Sequence, residues 1–329
     1  NGGGYTVRNF KVSANGYAAL FGYANEATIK NLRIEGGEVE SSSNDAGILV
    51  GRLNNGNIEK CSVSGNITGT DNVGGLVGFL NKGNIIECRA EGEIIGQERV
   101  GVLVGYMEGN VENCWAVGSA ISTENSVYTG GLVGRIWSGT IKNSYAAVSV
   151  SDGGRGLVDV YQNTQIFDSY YDIQKASVGK PNSYNIGKLT SAFTYKSFLN
   201  SWDFEKIWDI VEGETYPYLR WEGERGKRKA DTGEILKGIG TEEEPYQIGT
   251  PGGFQCIPYE LSASYQVISD IDFEGVNYTP IGTSKNFFCG ILDGGDHVIR
   301  KLRVFAEDYV GLVGYAKEAI IKNLKIEDA

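Results

Sequence analysis

Short apolar stretches alternate with polar and glycine-rich stretches along most of the chain, and none has the 3.6-residue spacing of a long helix. The clearest unit is an apolar pair followed by glycine, as in Leu76-Val77-Gly78. Between residues 20 and 159 the last residues of successive triplets are 29, 27, 27, 29 and 25 residues apart. This spacing predicts an internal repeat of about 27 residues. The repeated glycines are Gly22, Gly51, Gly78, Gly105, Gly134 and Gly314.

A second set of apolar positions follows each glycine at a nearly constant distance. Such a repeat cannot bury its own apolar face, so it must stack on its neighbours. We therefore predict an all-β fold, a parallel β-solenoid with one coil per repeat and about 4.8 Å between coils; a β-propeller ranks second. The predicted core ladder comprises Ile29, Ile58, Ile85, Val111, Ile141, Ile166, Ile321, Cys61, Cys88 and Cys114.

The apolar pair before each glycine has two interpretations, because adjacent residues of a strand face opposite sides. A bend at the glycine would bury both members of the pair, and this is the favoured interpretation. Otherwise the second members would form an exposed apolar stripe for lateral association. The residues of this stripe would be Phe21, Val50, Val77, Val104, Val133 and Val158.

The repeats and the composition divide the chain into four segments. Residues 1–161 are predicted to form the coils, and the irregular, aromatic-rich residues 162–221 to cap the open end of the stack. Residues 222–249, rich in charge and glycine, are predicted to be a solvated linker. Residues 250–329 would form the opening segment and first coil of a second module, with Thr250-Pro251 as a helix start and residues 265–271 as a strand.

A longer period lies above the coils. Residues 294–329 align with residues 2–37 without a gap, and 18 of the 36 aligned pairs are identical. Whole modules therefore repeat every 292 residues, and we expect the chain to be a segment of a longer, multi-module protein. The last coil should need stacking partners beyond this sequence.

Composition and charge limit the functional classes. Glycine supplies 47 of 329 residues, and 41 acidic against 30 basic side chains give a net charge of −11. An acidic chain repels phosphate backbones, so we expect no nucleic-acid partner. No apolar run reaches about 18 residues, so we expect no membrane insertion.

Side chains for catalysis or metal binding are sparse. The single histidine, His297, aligns with Tyr5, which argues against an essential base. The cysteines lack the spacing of zinc ligands, and we expect no cofactor. Two sites stay open. One is a calcium site at Asp270 and Asp272, although capping of turn amides is the more common role of such residues, and the other is a disulfide between Cys256 and Cys289.

The repeats resemble the GLUG-motif repeats of bacterial surface proteins, here as Gly75-Leu76-Val77-Gly78 and Gly131-Leu132-Val133-Gly134. The segments Gly290-Ile291-Leu292-Asp293-Gly294 and Tyr216-Pro217-Tyr218-Leu219 resemble the flanks of such repeats. The resemblance implies a right-handed β-helix on large secreted or surface-anchored, often adhesin-like bacterial proteins. It brings no catalytic residues.

We therefore expect a non-enzymatic extracellular or cell-surface protein, a structural or adhesive rod whose modules stack head to tail. Its partners would be adjacent modules or further copies, and also host or surface glycans. The alternatives are a carbohydrate-active β-helix enzyme, such as a polysaccharide lyase or glycosidase, and a glycan-binding module that uses exposed Tyr and Trp. An aromatic or acidic groove along one face would favour these alternatives.

Overall fold

The computed structural model describes residues 1–124, 128–151, 153–161, 164–176, 186–230 and 236–328. The chain forms two compact units. The first unit comprises Asn1–Gly187, Ser201–Asp209 and Tyr218–Gly226. The second comprises Lys188–Asn200, Ile210–Pro217 and Lys227–Ala329.

The strands up to residue 172 are β1 (Thr6–Arg8), β2 (Lys11–Ala14), β3 (Phe21–Asn25), β4 (Thr28–Lys30), β5 (Arg33–Ser41), β6 (Ala46–Gly47), β7 (Val50–Glu59), β8 (Ser62–Thr68), β9 (Asp71–Gly74), β10 (Val77–Ile86), β11 (Arg89–Gly96), β12 (Glu98–Gly101), β13 (Val104–Glu112), β14 (Trp115–Ser122), β15 (Thr129–Gly130), β16 (Val133–Lys142), β17 (Tyr145–Val150), β18 (Val158–Val160), β19 (Thr164–Phe167) and β20 (Tyr170–Asp172).

The later strands are β21 (Gly187–Lys188), β22 (Trp208–Asp209), β23 (Tyr218–Leu219), β24 (Tyr246–Ile248), β25 (Ser264–Val267), β26 (Ile271–Asp272), β27 (Asn277–Tyr278), β28 (Ile291–Asp293), β29 (Val298–Arg300), β30 (Arg303–Val304), β31 (Ile320–Lys322) and β32 (Lys325–Glu327). The α-helices are α1 (Ile173–Ala176) and α2 (Pro251–Cys256), and 3₁₀ helices span Thr190–Thr194, Arg220–Arg225 and Ile257–Tyr259.

The first unit is a parallel β-solenoid, which confirms the predicted fold. Each coil contributes in turn to three parallel sheets. The long sheet contains β3, β4, β7, β10, β13, β16, β18 and β19, the side sheet β1, β2, β5, β8, β11, β14, β17 and β20, and the short sheet β6, β9, β12 and β15. Equivalent residues of successive coils pair directly, as Leu53, Leu80 and Met107 do. One apolar core therefore runs through the stack.

The repeated glycines lie where the chain turns from the short sheet into the long sheet. An added Cβ at Gly78 would lie 2.6 Å from the carbonyl oxygen of Gly51 and 2.7 Å from the amide nitrogen of Ala46. Cβ atoms at Gly22, Gly51, Gly105, Gly134 and Gly314 would meet main-chain atoms at 2.5 to 2.8 Å. The close approach of neighbouring coils, rather than a positive φ, requires glycine here.

The same bend settles the orientation of the apolar pairs. Leu76 and Val77 are both fully buried, because the chain turns inward between the two sheets. An exposed stripe is therefore wrong for Val50, Val77, Val104, Val133 and Val158, which are at most 1 % exposed. Phe21, in the first coil, is 42 % exposed.

The core ladder is buried in the middle coils and more open at the ends. Ile58, Ile85, Val111 and Ile141 are fully buried, together with Cys61, Cys88 and Cys114. Ile29 and Ile166, in the outer coils of the first unit, are half-buried. Ile321, in the second unit, is 42 % exposed, because among the described residues its coil has a neighbour on one side only, where β28 pairs with β31.

The turn between the long and side sheets uses one residue in the left-handed region. Asn31, Asn113 and Asn143 have φ values of 46° to 55°, a conformation that asparagine tolerates. Lys60 and Glu87 occupy the same place with φ values of 48° and 50°. The stack therefore imposes this conformation even on residues that adopt it rarely.

The cysteine column supplies a hydrogen-bond partner at this corner. The amide N–H of Cys61 donates to the Sγ of Cys88, and the N–H of Cys88 donates to the Sγ of Cys114, both over 3.4 Å. The thiol of Cys88 donates to the carbonyl of Ile86. Ser144 continues the column, since its Oγ accepts from the N–H of Cys114 over 3.0 Å. Burial raises the pKa of the Cys88 thiol, which stays protonated as a donor.

The second unit is also a parallel solenoid. Its sheets are β24-β25-β28-β31, β26-β29-β32 and β27-β30. Helix α2 begins where the sequence predicted, since the Thr250 Oγ1 accepts from the N–H of Gly253 over 3.2 Å. The predicted strand over residues 265–271 is wrong in one respect, because a corner separates β25 from β26.

The predicted segments differ from the structure in three places. The coils continue past residue 161 through β19 and β20, although residues 162 and 163 lie outside the described part. Residues 222–249 are not a solvated linker, because Glu222 and Ile248 are buried. The aromatic residues of 201–209 and 218–226 do not cover an end of the stack. They lie along its side, where three of their tryptophans donate to corner residues of different coils.

We predict that Gly78→Ala lowers the free energy of unfolding by about 1–3 kcal/mol, because its Cβ must displace neighbouring main chain. Gly16→Ala is the matched control, since open space surrounds that position. Urea unfolding of both variants gives the measurement. Equal stabilities would show that the coils separate easily enough to accept a methyl group.

We predict that Cys88→Ala costs about 1–3 kcal/mol of stability, because the buried N–H of Cys61 loses its acceptor. Cys88→Ser should cost less, since serine already fills this column at Ser144 and bonds in the same way. Thermal and urea unfolding of the two variants test the order. If Cys88→Ser destabilises the protein as much as Cys88→Ala does, packing rather than hydrogen bonding determines what this column contributes to stability.

Candidate functional site

The outer surface of the long sheet carries a column of planar side chains. Tyr23, Arg52, Phe79, Tyr106 and Arg135 are paired in register on β3, β7, β10, β13 and β16. Each follows a repeated glycine, and the alternation along the strand turns it outward while the next residue enters the core. We call these five residues the aromatic–arginine column.

The planar groups of the column contact one another along the stack. The rings of Phe79 and Tyr106 are 4.9 Å apart between centroids. The guanidinium of Arg52 lies 4.7 Å from the Phe79 centroid, a cation–π distance. At the far end Trp137 stacks on Tyr161 at 4.1 Å, and Arg135 lies 5.2 Å from the Tyr161 centroid. Two runs of planar groups therefore lie along the sheet, one formed by Arg52, Phe79 and Tyr106 and the other by Arg135, Tyr161 and Trp137.

Carboxylates next to the column neutralise its arginines. Arg52 pairs with Asp45, which is fully buried, and Arg135 lies 3.8 Å from the carboxylate of Asp159. Burial raises the pKa of both Asp45 and Asp159, while the arginines act in the opposite direction. The column therefore presents flat groups with little net charge.

An asparagine column runs beside these planar groups. The side-chain amide of Asn54 donates to Asn25 over 2.6 Å, and that of Asn81 donates to Asn54. A second amide ladder on the same sheet joins Asn84 to Asn57 over 2.8 Å. Each ladder bond uses one of the two N–H groups of an amide.

The outer surface of the side sheet is covered at the first residues of its strands, such as Arg89, Trp115 and Tyr145, which are buried. Residues 201–209 and 218–226, which we call the strap, lie along it. The indole N–H groups of three strap tryptophans donate to corner residues of different coils: Trp202 to the Asp168 carbonyl, Trp208 to the Asn113 side chain and Trp221 to the Glu87 carbonyl. The strap therefore crosses several coils.

A buried ion pair fixes the strap to the sheet. Glu222 pairs with Arg89 and accepts a hydrogen bond from the Trp115 indole over 3.0 Å. Arg89 also lies over the Trp115 ring at 5.2 Å. Removing Arg89 would leave the Glu222 carboxylate buried without this cation, which is costly, whereas Arg89 also pairs with Glu91 over 2.8 Å.

Sequence reasoning missed both surfaces. The aromatic–arginine column had a signal, since all five residues directly follow a repeated glycine. The strap had none, because Glu222 lies 107 residues from its partner Trp115 in the sequence.

The second unit places Asp270 and Asp272 opposite cations of the next coil. Asp270 lies 3.2 Å from Arg300 and accepts from the N–H of Val298, and Asp272 lies 3.1 Å from Lys301. His297 lies 3.6 Å from Asp270. Among the described residues, no group of three or more His, Cys, Asp or Glu side chains could hold a metal ion. Cys256, which is buried, and Cys289, which is exposed, do not form a disulfide with each other.

Comparison with known proteins identifies the repeat. Residues 125–151 match the family described as the GLUG motif, which confirms the resemblance at that coil. The chain is 28 % identical over 120 residues to a candidate Gly-rich membrane protein of Evansella cellulosilytica, and 37 % identical over 76 residues to halomucin of Haloquadratum walsbyi. These matches cover 33 % and 22 % of this chain, but only 14 % and 1 % of the two relatives.

A solved structure shares the fold. It is a candidate immunoglobulin A1 protease from Bacteroides ovatus, with a TM-score of 0.51 and 21 % identity, covering 67 % of this chain and 76 % of the other. Within the described residues, no helix has both the length and the apolar character needed to cross a membrane.

We predict that Asp270 titrates below the usual range of an aspartate, because its pKa is lowered first by the Val298 N–H and then by Arg300. Stabilisation from this carboxylate is therefore present above about pH 4 and is lost as pH falls through its folded pKa. Arg300→Ala should raise that pKa. Carbon-detected NMR titration of the carboxylate measures both values, and an unchanged pKa in the variant would assign the shift to the backbone contact alone.

Proposed function

We propose that the protein is a structural or adhesive segment of a cell-surface or extracellular rod, in which solenoid modules continue head to tail. The observation that carries this proposal is the repetition of one coil in both units. Strands β1, β2, β4 and β5 of the first coil have counterparts in β29, β30, β31 and β32. The two coils align at a constant offset of 292 residues.

The likeness extends to the backbone. Gly3 and Gly295 have φ values of 59° and 56°, and Asn31 and Asn323 have values of 55° and 54°. The N–H of Gly2 donates to the carbonyl of Lys30, and that of its counterpart Gly294 donates to Lys322. Sequence identity and conformation together indicate that the two coils use the same stacking surfaces.

The two copies differ in what covers them. Ile34 of the first coil is 1 % exposed, because β5 pairs with β8 of the next coil. Its counterpart Ile326 is 45 % exposed. A coil resembling residues 38–66 would cover it, and this is the coil that follows in the first unit. We infer that this surface fits a further coil of the same kind, as a continuation of the second module.

A non-catalytic role and a surface location belong to the same proposal. The carboxylates beside the aromatic–arginine column are held by arginines, so they are poorly placed for proton transfer. The GLUG match and the relatives named as a Gly-rich membrane protein and halomucin support a surface or extracellular location.

We predict that extending the chain stabilises its last coil. A chain in which a second copy of residues 38–329 follows residue 329 should slow amide hydrogen exchange at Ile321 and Ile326 by about tenfold or more, because new strands pair with β31 and β32. Exchange measured by mass spectrometry or NMR gives the comparison, with Val63 as an internal reference that should not change.

The matched control is the same extension with Leu53→Asp in the appended copy, which prevents its first coil from packing. Protection confined to the unmodified extension supports continuation of the solenoid. Unchanged exchange in both extensions would contradict it.

A further inference from the structure

We propose that the long sheet of the first unit binds an extended, neutral polysaccharide along the aromatic–arginine column. This inference goes beyond the stacking of modules and depends only on residues of the first unit. It rests on the exposure of the rings, their spacing, their charge balance and the amides beside them.

The rings lie on the solvent side of a sheet whose other side forms the core. Tyr23 of the column is 52 % exposed, and Trp137, two residues beyond Arg135 on β16, is 43 % exposed. The neighbouring residues Ala24 and Ile136 point inward. Covering such rings removes apolar surface from water and is favourable. Aromatic residues also lose little conformational freedom on binding, which makes them effective anchors.

The spacing suits a linear polymer of rings. Register pairing places one member of the column on each coil, about 4.8 Å from the next. A pyranose has a flat face of C–H groups, and the outward edges of the stacked rings offer it an apolar surface to cover. Successive sugars of an extended chain can therefore meet successive coils.

The polar side chains beside the column suit the hydroxyl groups of a sugar. Asn25, Asn54 and Asn81 form a line parallel to the column, and their amides both donate and accept hydrogen bonds. Sugar hydroxyls do the same. An apolar protein partner would instead leave these amides without water or other partners, at a cost.

The charges argue for a neutral ligand. Arg52 and Arg135 are paired with Asp45 and Asp159, and the chain as a whole carries a charge of −11. Glu108 adds a further negative charge next to Tyr106. An acidic polysaccharide or an anionic membrane would meet repulsion without an unpaired cationic cluster to offset it.

We predict that a neutral hexasaccharide binds the full chain and that Tyr106→Ala within the column and Trp137→Ala beside its far end each weaken binding by about tenfold, because each removes an aromatic contact. The probes are cellohexaose, mannohexaose and chitohexaose, with a hexamer of polygalacturonate as the acidic comparison. Isothermal titration calorimetry measures affinity, and the tryptophan fluorescence of the wild-type chain reports contact with the indole.

The matched control is Tyr5→Ala, which removes a ring that is 80 % exposed but lies outside the column. It should bind within about twofold of the wild type. Circular dichroism of each variant verifies the fold. Binding of the acidic hexamer alone, binding of none of the probes, or equal weakening in all three variants would overturn the proposal.

A further outcome assigns the face to another occupant. If the chain dimerises at micromolar concentration and Trp137→Ala abolishes the dimer without affecting any sugar, the long sheet is an interface between copies. Analytical ultracentrifugation of the same variants decides this. Failure of module stacking would leave the sugar titration unchanged, so the two proposals are tested separately.

Discussion

Every coil of this solenoid must turn its corners without leaving buried backbone groups unpaired. Along the straight sheets, the parallel ladders satisfy this requirement. At the corner between the long and side sheets the chain leaves the ladder for one residue. There the Sγ or Oγ of the next coil accepts the N–H, as between Cys61 and Cys88. Three features therefore act together to keep the buried backbone groups hydrogen-bonded. They are the left-handed residue at the corner, the column of Cys and Ser side chains, and the in-register stacking of the core.

The amino-acid sequence was sufficient to predict the structural features that recur from coil to coil. Glycines such as Gly78 recur because neighbouring coils approach closely, and an identical local constraint gives an identical residue. The corner asparagines were also predictable, although Lys60 adopts the same φ as Asn31. The hydrogen-bonding role of Cys88 was not evident, because small size alone explained the column.

Features formed by distant, single contacts could not be predicted. The strap tryptophans have no period, and Trp208 meets Asn113 from 95 residues away. Composition placed Glu222 in a charged linker, yet its carboxylate is buried against Arg89. For the candidate site, the repeated glycines mark the positions of the aromatic–arginine column, although sequence reasoning did not single those residues out. It did not give the pairing of Arg52 with Asp45, which determines the charge of that surface.

The strap also has a mechanical consequence. Tension along the stack would open the solenoid by peeling one coil from the next, so that each ladder breaks in turn. The strap runs across the coils that contain Glu87, Asn113 and Asp168, and it is anchored at each by an indole. A pull that separates these coils must therefore extract tryptophans as well as break ladders. The load is therefore shared among several coils at once.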